Sequence, residues 1–141
     1  MRISVKLKNG ITVPAMGQGT WFLGDDRAKR NDEIAALRTG IDLGMTLIDT
    51  AEMYGSGRSE ELVGEAVSGY ERKKLFMVSK VLPSNANRAN MKNSCKNSLK
   101  RMKTDYLDLY LYHWRGSTPL KETVDCLEEL VKEGLIKSWG V

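Results

Sequence analysis

Three apolar runs in this chain end on side chains that can hold or pass a proton. The run opening LIDTAEMYGSG, residues 47–57, sets Asp49 five residues ahead of Tyr54 and closes in a glycine-rich turn. A second, LFMVSK at residues 75–80, stops on Lys80, and a third, YLDLYLYH at residues 106–113, stops on His113, the one histidine of the chain. A phenol keeps its proton at neutral pH and can give it to an oxygen that is gaining negative charge. A lysine ammonium beside the phenol stabilises the phenolate left behind, and an aspartate beside the lysine keeps that ammonium charged and aimed. A histidine N–H next to them can steer a carbonyl and share the developing charge. Together these groups would protonate a carbonyl while a hydride arrives from elsewhere.

Taken singly, each residue also has an ordinary structural place: Tyr54 as a half-exposed aromatic, Lys80 as a strand-end surface lysine, Asp49 as a turn or cap acid, His113 as a satisfied structural histidine. Their recurrence at three successive strand ends favours a site, because parallel α/β folds place their chemistry there. Other chemistries lack their motifs. No Gly-x-Gly-x-x-Gly follows the first strand, and Gly55-Ser56-Gly57 matches it only in part; there is no Gly-Lys-Ser/Thr phosphate loop and no Gly-x-Ser-x-Gly elbow.

The positioning elements follow from periodicity. Runs at 3–7 and 11–16 flank Lys8-Asn9-Gly10 and predict an N-terminal hairpin closed by a type I′ turn. Met16–Trp21 reads as a short strand. Ile34, Leu37 and Ile41 at helical spacing predict a helix over 27–43 ended by Gly44. After a strand over 46–50, Ser59 followed by Glu60 and Glu61 reads as a capped helix start, with Leu62, Val63, Ala66 and Val67 as its buried side. A doubly covered strand at 75–81 is ended by Pro83, and the next helix buries Met91, Cys95, Leu99 and Met102. A strand at 106–114 leads to a helix capped by Thr118 with Pro119 in its first position, a stripe of Leu120, Val124, Leu127 and Val131, and a stop at Gly134. Residues 135–141 read as a fifth strand. Strands separated by helices imply right-handed βαβ units and a parallel sheet. On topology alone the pattern suits either a doubly wound sheet or half of a (β/α)8 barrel.

Composition sets the class. With 141 residues, 41% of them apolar and 28% charged, the chain is sized for one soluble domain, residues 1–141, without linker or repeat. No run approaches the ~20 apolar residues of a membrane span. The start, Met-Arg-Ile-Ser-Val-Lys, alternates like a strand and has no signal-peptide core, so a cytoplasmic location is expected. Cys95 and Cys126 lack any Cys-x-x-Cys spacing or neighbouring histidine, so buried thiols are expected rather than a disulfide or metal site. The net charge of +4 is mild. Lys92, Lys96 and Lys100, with Arg88, Arg101 and Lys103, line one helix face, which reads as a solvated outer surface rather than a nucleic-acid interface, having no interleaved aromatics.

LIDTAEMYGSG, VSKV and DYLDLYLYHW, with GQGTW and IKSWGV in their expected places, resemble the successive signatures of the aldo-keto reductases. TAEMYGSG and the compact LPSNANRAN loop are most similar to the bacterial branch that reduces methylglyoxal and related small aldehydes. The resemblance covers the whole chain but only the N-terminal half of a family member. It implies a parallel (β/α)8 TIM barrel of the aldo-keto reductase type, present as its N-terminal half: the hairpin, four βα units and a fifth strand. It also implies an NADPH-dependent oxidoreductase, with Tyr54 as general acid, Lys80 and Asp49 as its tuning pair, and His113 orienting the carbonyl. Gly19, Thr20 and Asp49 would lie near the nicotinamide and its ribose, and Trp21 and Trp114 would wall the pocket for a small carbonyl substrate. Strands six to eight, with the residues that grip the rest of the NADPH, lie outside the resemblance. The isolated chain is therefore expected to bind NADPH weakly and turn over little, and its open strand edges invite self-association. The rival reading is a non-catalytic half-barrel or a regulatory relative of the same family.

Overall fold

The computed structural model describes residues 3–141; Met1 and Arg2, the first two residues of the strand-like start, lie outside the described residues. Two short strands, β1 (Ser4–Lys6) and β2 (Thr12–Pro14), pair antiparallel as the expected hairpin. Its turn differs from the type I′ expectation. The Gly10 N–H donates to the Leu7 carbonyl at 2.9 Å and the Leu7 N–H to Ile11 at 2.8 Å, and of the two turn residues Gly10, at φ 86°, has positive φ while Asn9 does not. This is a three-residue loop, a type I turn closed by a left-handed glycine. Asn9 stays out of the left-handed region because its side chain accepts the Ile11 N–H at 3.1 Å.

The remaining strands form one parallel sheet in sequence order: β3 (Gly17–Gly19), β4 (Leu47–Asp49), β5 (Phe76–Val81), β6 (Leu107–Tyr112) and β7 (Ile136–Gly140). Between them run α1 (Arg30–Asp42), α2 (Arg58–Ala66), α3 (Met91–Arg101) and α4 (Leu120–Lys132). The predicted order of elements is therefore the observed one, and β3 and β7 are the two edges.

Strand alternation divides the apolar residues between two faces. Ile48, Met77 and Tyr110 turn toward the helices, and Leu107 and Ile136, the first residues of β6 and β7, join them in the main core with Leu37, Leu62, Met91, Leu99 and Leu127. Phe76 and Val78 turn the other way, with Leu47, Leu109 and Leu111 partly covered beside them, and Val13 of the hairpin packs on them. By the same period of two, Asp49 and Lys80 share this second face, at its C-terminal end. The hairpin thus closes one end of the inner face and leaves the other end to polar groups.

Two predicted caps are not formed. Ser59 lies one residue inside α2, whose N-cap is the left-handed Gly57, and its hydroxyl points into the core instead of toward the helix end. The helix before β7 starts at Leu120 with Pro119 at the cap and no side-chain cap hydrogen bond, so Thr118 does not cap it. The buried side of α4 is also rotated from the expected stripe: Thr123, Cys126, Leu127 and Leu130 are buried, whereas Leu120, Val124 and Val131 are half-covered. Thr123 can face inward because its hydroxyl donates to the Ala86 carbonyl at 2.7 Å, which removes the cost of burying it.

On α3 the expected apolar side, Met91, Cys95, Leu99 and Met102, is buried. Half of its basic residues are matched by acids from elsewhere in the fold that a linear reading could not place there. Lys92 meets Glu133 and Arg88 meets Glu129, both at 2.8 Å. Arg101 meets the buried Glu60 at 2.6 Å.

Candidate active site

The C-terminal ends of β4, β5 and β6 bring the predicted polar groups together. Register places Asp49 opposite Val78, and Lys80 opposite Leu111, so Lys80 stands one inward-facing position further along the sheet than Asp49. From there its ammonium turns back and uses three donors: the Asp49 carboxylate at 2.8 Å, the Thr50 carbonyl at 2.8 Å and the Tyr54 hydroxyl at 3.3 Å. The Lys80 side chain is only 13% exposed and that of Asp49 36%. The carboxylate balances the charge of an ammonium so enclosed.

Tyr54 sits in a short turn of helix, Tyr54–Gly57, that begins as soon as β4 ends. Its N–H donates to the Ala51 carbonyl at 3.1 Å. Gly55 and Ser56 both adopt left-handed φ, 57° and 54°, which coils the backbone tightly enough to set the phenol over the strand ends. Because Lys80 donates to the phenol oxygen, the phenol's own proton is free for another acceptor.

His113 follows β6 directly, its N–H donating to the Val81 carbonyl at 3.1 Å. Its ring meets Tyr54 edge-on, centroids 5.9 Å apart and planes at 77°. Burial lowers the His113 pKa from its ordinary value, and the Lys80 ammonium lowers it further, against a weaker opposing pull from Asp49 and Glu52. The imidazole is accordingly neutral at pH 7. Its Nδ1 is sealed from solvent and has no hydrogen-bond partner among the described residues.

Aromatic side chains surround these groups. Trp21 stacks on Tyr54 at 6.3 Å and Trp114 tilts against His113 at 4.6 Å; both are largely exposed at the open end of the sheet. Phe22, absent from the sequence reading, stacks on Trp21 at 4.6 Å and holds a left-handed φ of 70°. Gly19 pairs in register with Asp49, and a Cβ placed on it would meet nothing within 4 Å, so the space beside Asp49 is open.

Thr20 is different: it is fully buried, its hydroxyl and N–H both donating to the Asp49 carbonyl at 3.0 and 3.1 Å. Glu52 also went unread. Its carboxylate accepts the Leu82 N–H at 2.7 Å and the Asn85 amide at 3.0 Å, tying the Tyr54 segment to the loop after β5. Nothing in its spacing signals this, since the partners are some thirty residues away in sequence. Among the described residues no group of three His, Cys, Asp or Glu could hold a metal ion, and no helix is long and apolar enough to cross a membrane.

The aldo/keto reductase family profile matches residues 15–141, and the chain belongs to that family. It is 53% identical over 137 residues to the methylglyoxal reductase YeaE of Escherichia coli (strain K12), a match that covers 97% of this chain and 48% of the relative. To the aldo-keto reductase YhdN of Bacillus subtilis (strain 168) it is 40% identical, over 94% of this chain and 44% of the relative. The crystal structure of an aldo-keto reductase from Klebsiella pneumoniae in complex with NADPH superposes with a TM-score of 0.95 at 52% identity, over 100% of this chain and 49% of that one. The chain thus spans about half the length of the relatives it matches. Its hairpin, four βα units and fifth strand make half of the barrel, as the resemblance implied.

Proposed function

We propose that the protein to which this chain belongs is an NADPH-dependent reductase of small aldehydes and ketones such as methylglyoxal, and that Asp49, Tyr54, Lys80 and His113 carry its proton chemistry. The observation that supports this most is the Lys80 ammonium, which donates to Asp49, to the Thr50 carbonyl and to the phenol oxygen of Tyr54. A reduced nicotinamide bound beside Asp49 would supply the hydride.

The residues present fit such a group. Beside the open space at Gly19, Asp49 keeps a partly exposed carboxylate with one oxygen committed to Lys80, leaving acceptor capacity for a ribose hydroxyl. Thr20 would serve the same region by shaping the chain beside Asp49, since its hydroxyl is already engaged. Tyr54 then donates its proton to the carbonyl oxygen as negative charge develops there, and Lys80 stabilises the phenolate that remains. His113, neutral and with no acceptor for a proton on the sealed Nδ1, carries its proton on Nε2 and donates to the same carbonyl oxygen. Trp21 and Trp114 wall the space above, which suits a small carbonyl compound. The 53% identity to a methylglyoxal reductase supports this substrate class.

The test compares wild type with Tyr54→Phe in NADPH-dependent reduction of methylglyoxal. A general acid predicts a loss of about 10²-fold or more in turnover. Equal rates overturn the assignment.

The chain's span of about half its relatives favours a second reading for these 141 residues on their own: weak NADPH binding, little turnover, and pairing with another chain through the open edges of β3 and β7. NADPH fluorescence titration and light scattering test it. Tight binding, or a monomer at every concentration, would count against it.

A further inference from the structure

We propose that Ser59, acting with Thr20 and Thr50, is a positioning residue that closes the Tyr54 segment into a ring and fixes the acceptors of Lys80; the inference rests on the reading of Lys80 as the support of Tyr54. Ser59, Thr20 and Thr50 are each fully buried, and their hydroxyls meet one another. The Thr50 hydroxyl lies 3.3 Å from the Ser59 oxygen, which lies 2.8 Å from both the carbonyl and the hydroxyl oxygen of Thr20. The Thr20 hydroxyl in turn donates to the Asp49 carbonyl at 3.0 Å.

Each hydroxyl carries one proton, so the order of donation is constrained. Thr50 donates to Ser59, Ser59 to Thr20, and Thr20 to the Asp49 backbone. None of the three has access to water, so removing Ser59 leaves the Thr50 hydroxyl without its acceptor, removing the Thr50 hydroxyl leaves the Ser59 oxygen without its donor, and the two are satisfied only together.

The placement gives this unit a role. Thr50 and Ser59 stand on either side of Tyr54, at the end of β4 and in the first turn of α2, so their hydrogen bond closes the intervening segment at its base. The same two residues supply the groups that receive Lys80, Asp49 through its side-chain carboxylate and Thr50 through its backbone carbonyl. The three hydroxyls therefore set the distance between the phenol and the ammonium without touching either.

The experiment follows hydrogen exchange of the Lys80 ammonium by 15N NMR, with Lys121, 85% exposed, as the internal reference. In wild type the Lys80 signal is protected; exchange as fast as that of Lys121 overturns the inference before any substitution is made. Thr50→Val and Ser59→Ala raise the Lys80 rate about fivefold to tenfold, the equivalent of losing one hydrogen bond. Thr50→Ser, which keeps the hydroxyl, restores the wild-type rate. Thr123→Val removes an equally buried hydroxyl bonded to Ala86 and leaves Lys80 unchanged. Should Ser59→Ala not fold, the Thr50 pair decides alone: equal rates in Thr50→Val and Thr50→Ser overturn the inference. Protection lost in Thr50→Val while Tyr54→Phe turns over normally keeps the positioning role and discards the catalytic reading; the opposite pair of results does the reverse.

Discussion

Lys80 and Asp49 are joined across adjacent strands by a 2.8 Å ion pair whose lysine is almost wholly withdrawn from water. A charge in that setting depends on its partner far more than a surface charge does. Asp49→Asn keeps a hydrogen-bond acceptor but removes the balancing charge, and Lys80→Met removes the support of the phenol outright. On the function proposed above, carbonyl reduction is expected to fall by about 10-fold or more in Asp49→Asn and by about 10²-fold or more in Lys80→Met, on the scale of general acid catalysis. Steady-state kinetics on the two variants check the order; a Lys80→Met enzyme with wild-type turnover would remove lysine from the mechanism.

His113 gives a prediction in pH. Its folded-state pKa is lowered, mainly by burial and then by Lys80, below the ordinary value of about 6.5 that it regains on unfolding. As pH falls through about 6.5 the unfolded chain takes up this proton first, so the contribution of His113 to stability declines from there down to the lowered folded value and levels off below it. The imidazole Hε1 resonance is expected to titrate below 6.5, and urea unfolding across pH 5 to 7 to show a slope that His113→Gln reduces. A midpoint above 6.5 would mean that the carboxylates of Asp49 and Glu52 outweigh burial and Lys80.

The strand ends were legible because an apolar run that stops on Lys80 or His113 is a local pattern, and so were α1, α2 and α3, whose apolar residues repeat at helical spacing. What escaped depends on partners distant in sequence. Ser59 looks like a cap next to two glutamates, and only the fold shows Thr20 and Thr50 waiting for its hydroxyl. Spacing puts the α4 stripe through Val124 and Val131 because Thr123 is polar; burying it requires the Ala86 carbonyl, which a helical wheel does not contain. Phe22 is bracketed by Trp21 and Leu23, and no spacing rule marks its left-handed backbone.

Glu60 and Arg101 form a second enclosed pair at 2.6 Å, the glutamate fully buried and also receiving the Ser79 hydroxyl at 2.6 Å. Arg101 reaches it by lying against α2, where a Cβ on Gly64 would stand 2.4 Å from the Arg101 carbonyl oxygen, a backbone atom that cannot swing aside. Arg101→Leu strands the carboxylate and is expected to cost about 3–5 kcal/mol, part of which Glu60→Gln in the same chain recovers. Gly64→Ala is expected to cost about 1–3 kcal/mol by forcing α2 and α3 apart. Chemical denaturation of the single and double variants measures both. A double variant less stable than Arg101→Leu would contradict the stranded-charge explanation.

At the opposite end of the strands Asp108, 6% exposed, accepts the Met77 N–H at 2.9 Å and forms an ion pair with the Arg72 guanidinium at 2.7 Å, with Lys137 at 3.8 Å. Arg72 and Lys137 also lie over the Tyr106 ring, 3.9 and 4.3 Å from its centroid, so one acid and one aromatic anchor the segments that lead into β5, β6 and β7. Asp108→Asn preserves shape and the bond to Met77 but discards the charge, for an expected loss of about 1.5–3 kcal/mol, the scale of a hydrogen bond to a charged group. Lys121→Ala breaks a pair of similar length, 2.7 Å to Asp125, yet in full contact with solvent, and is expected to change stability by less than about 0.5 kcal/mol. Unfolding midpoints of the two variants separate burial from distance as the source of the effect. Equal losses would show that the short contact, rather than its exclusion from water, is what stabilises the base of the sheet.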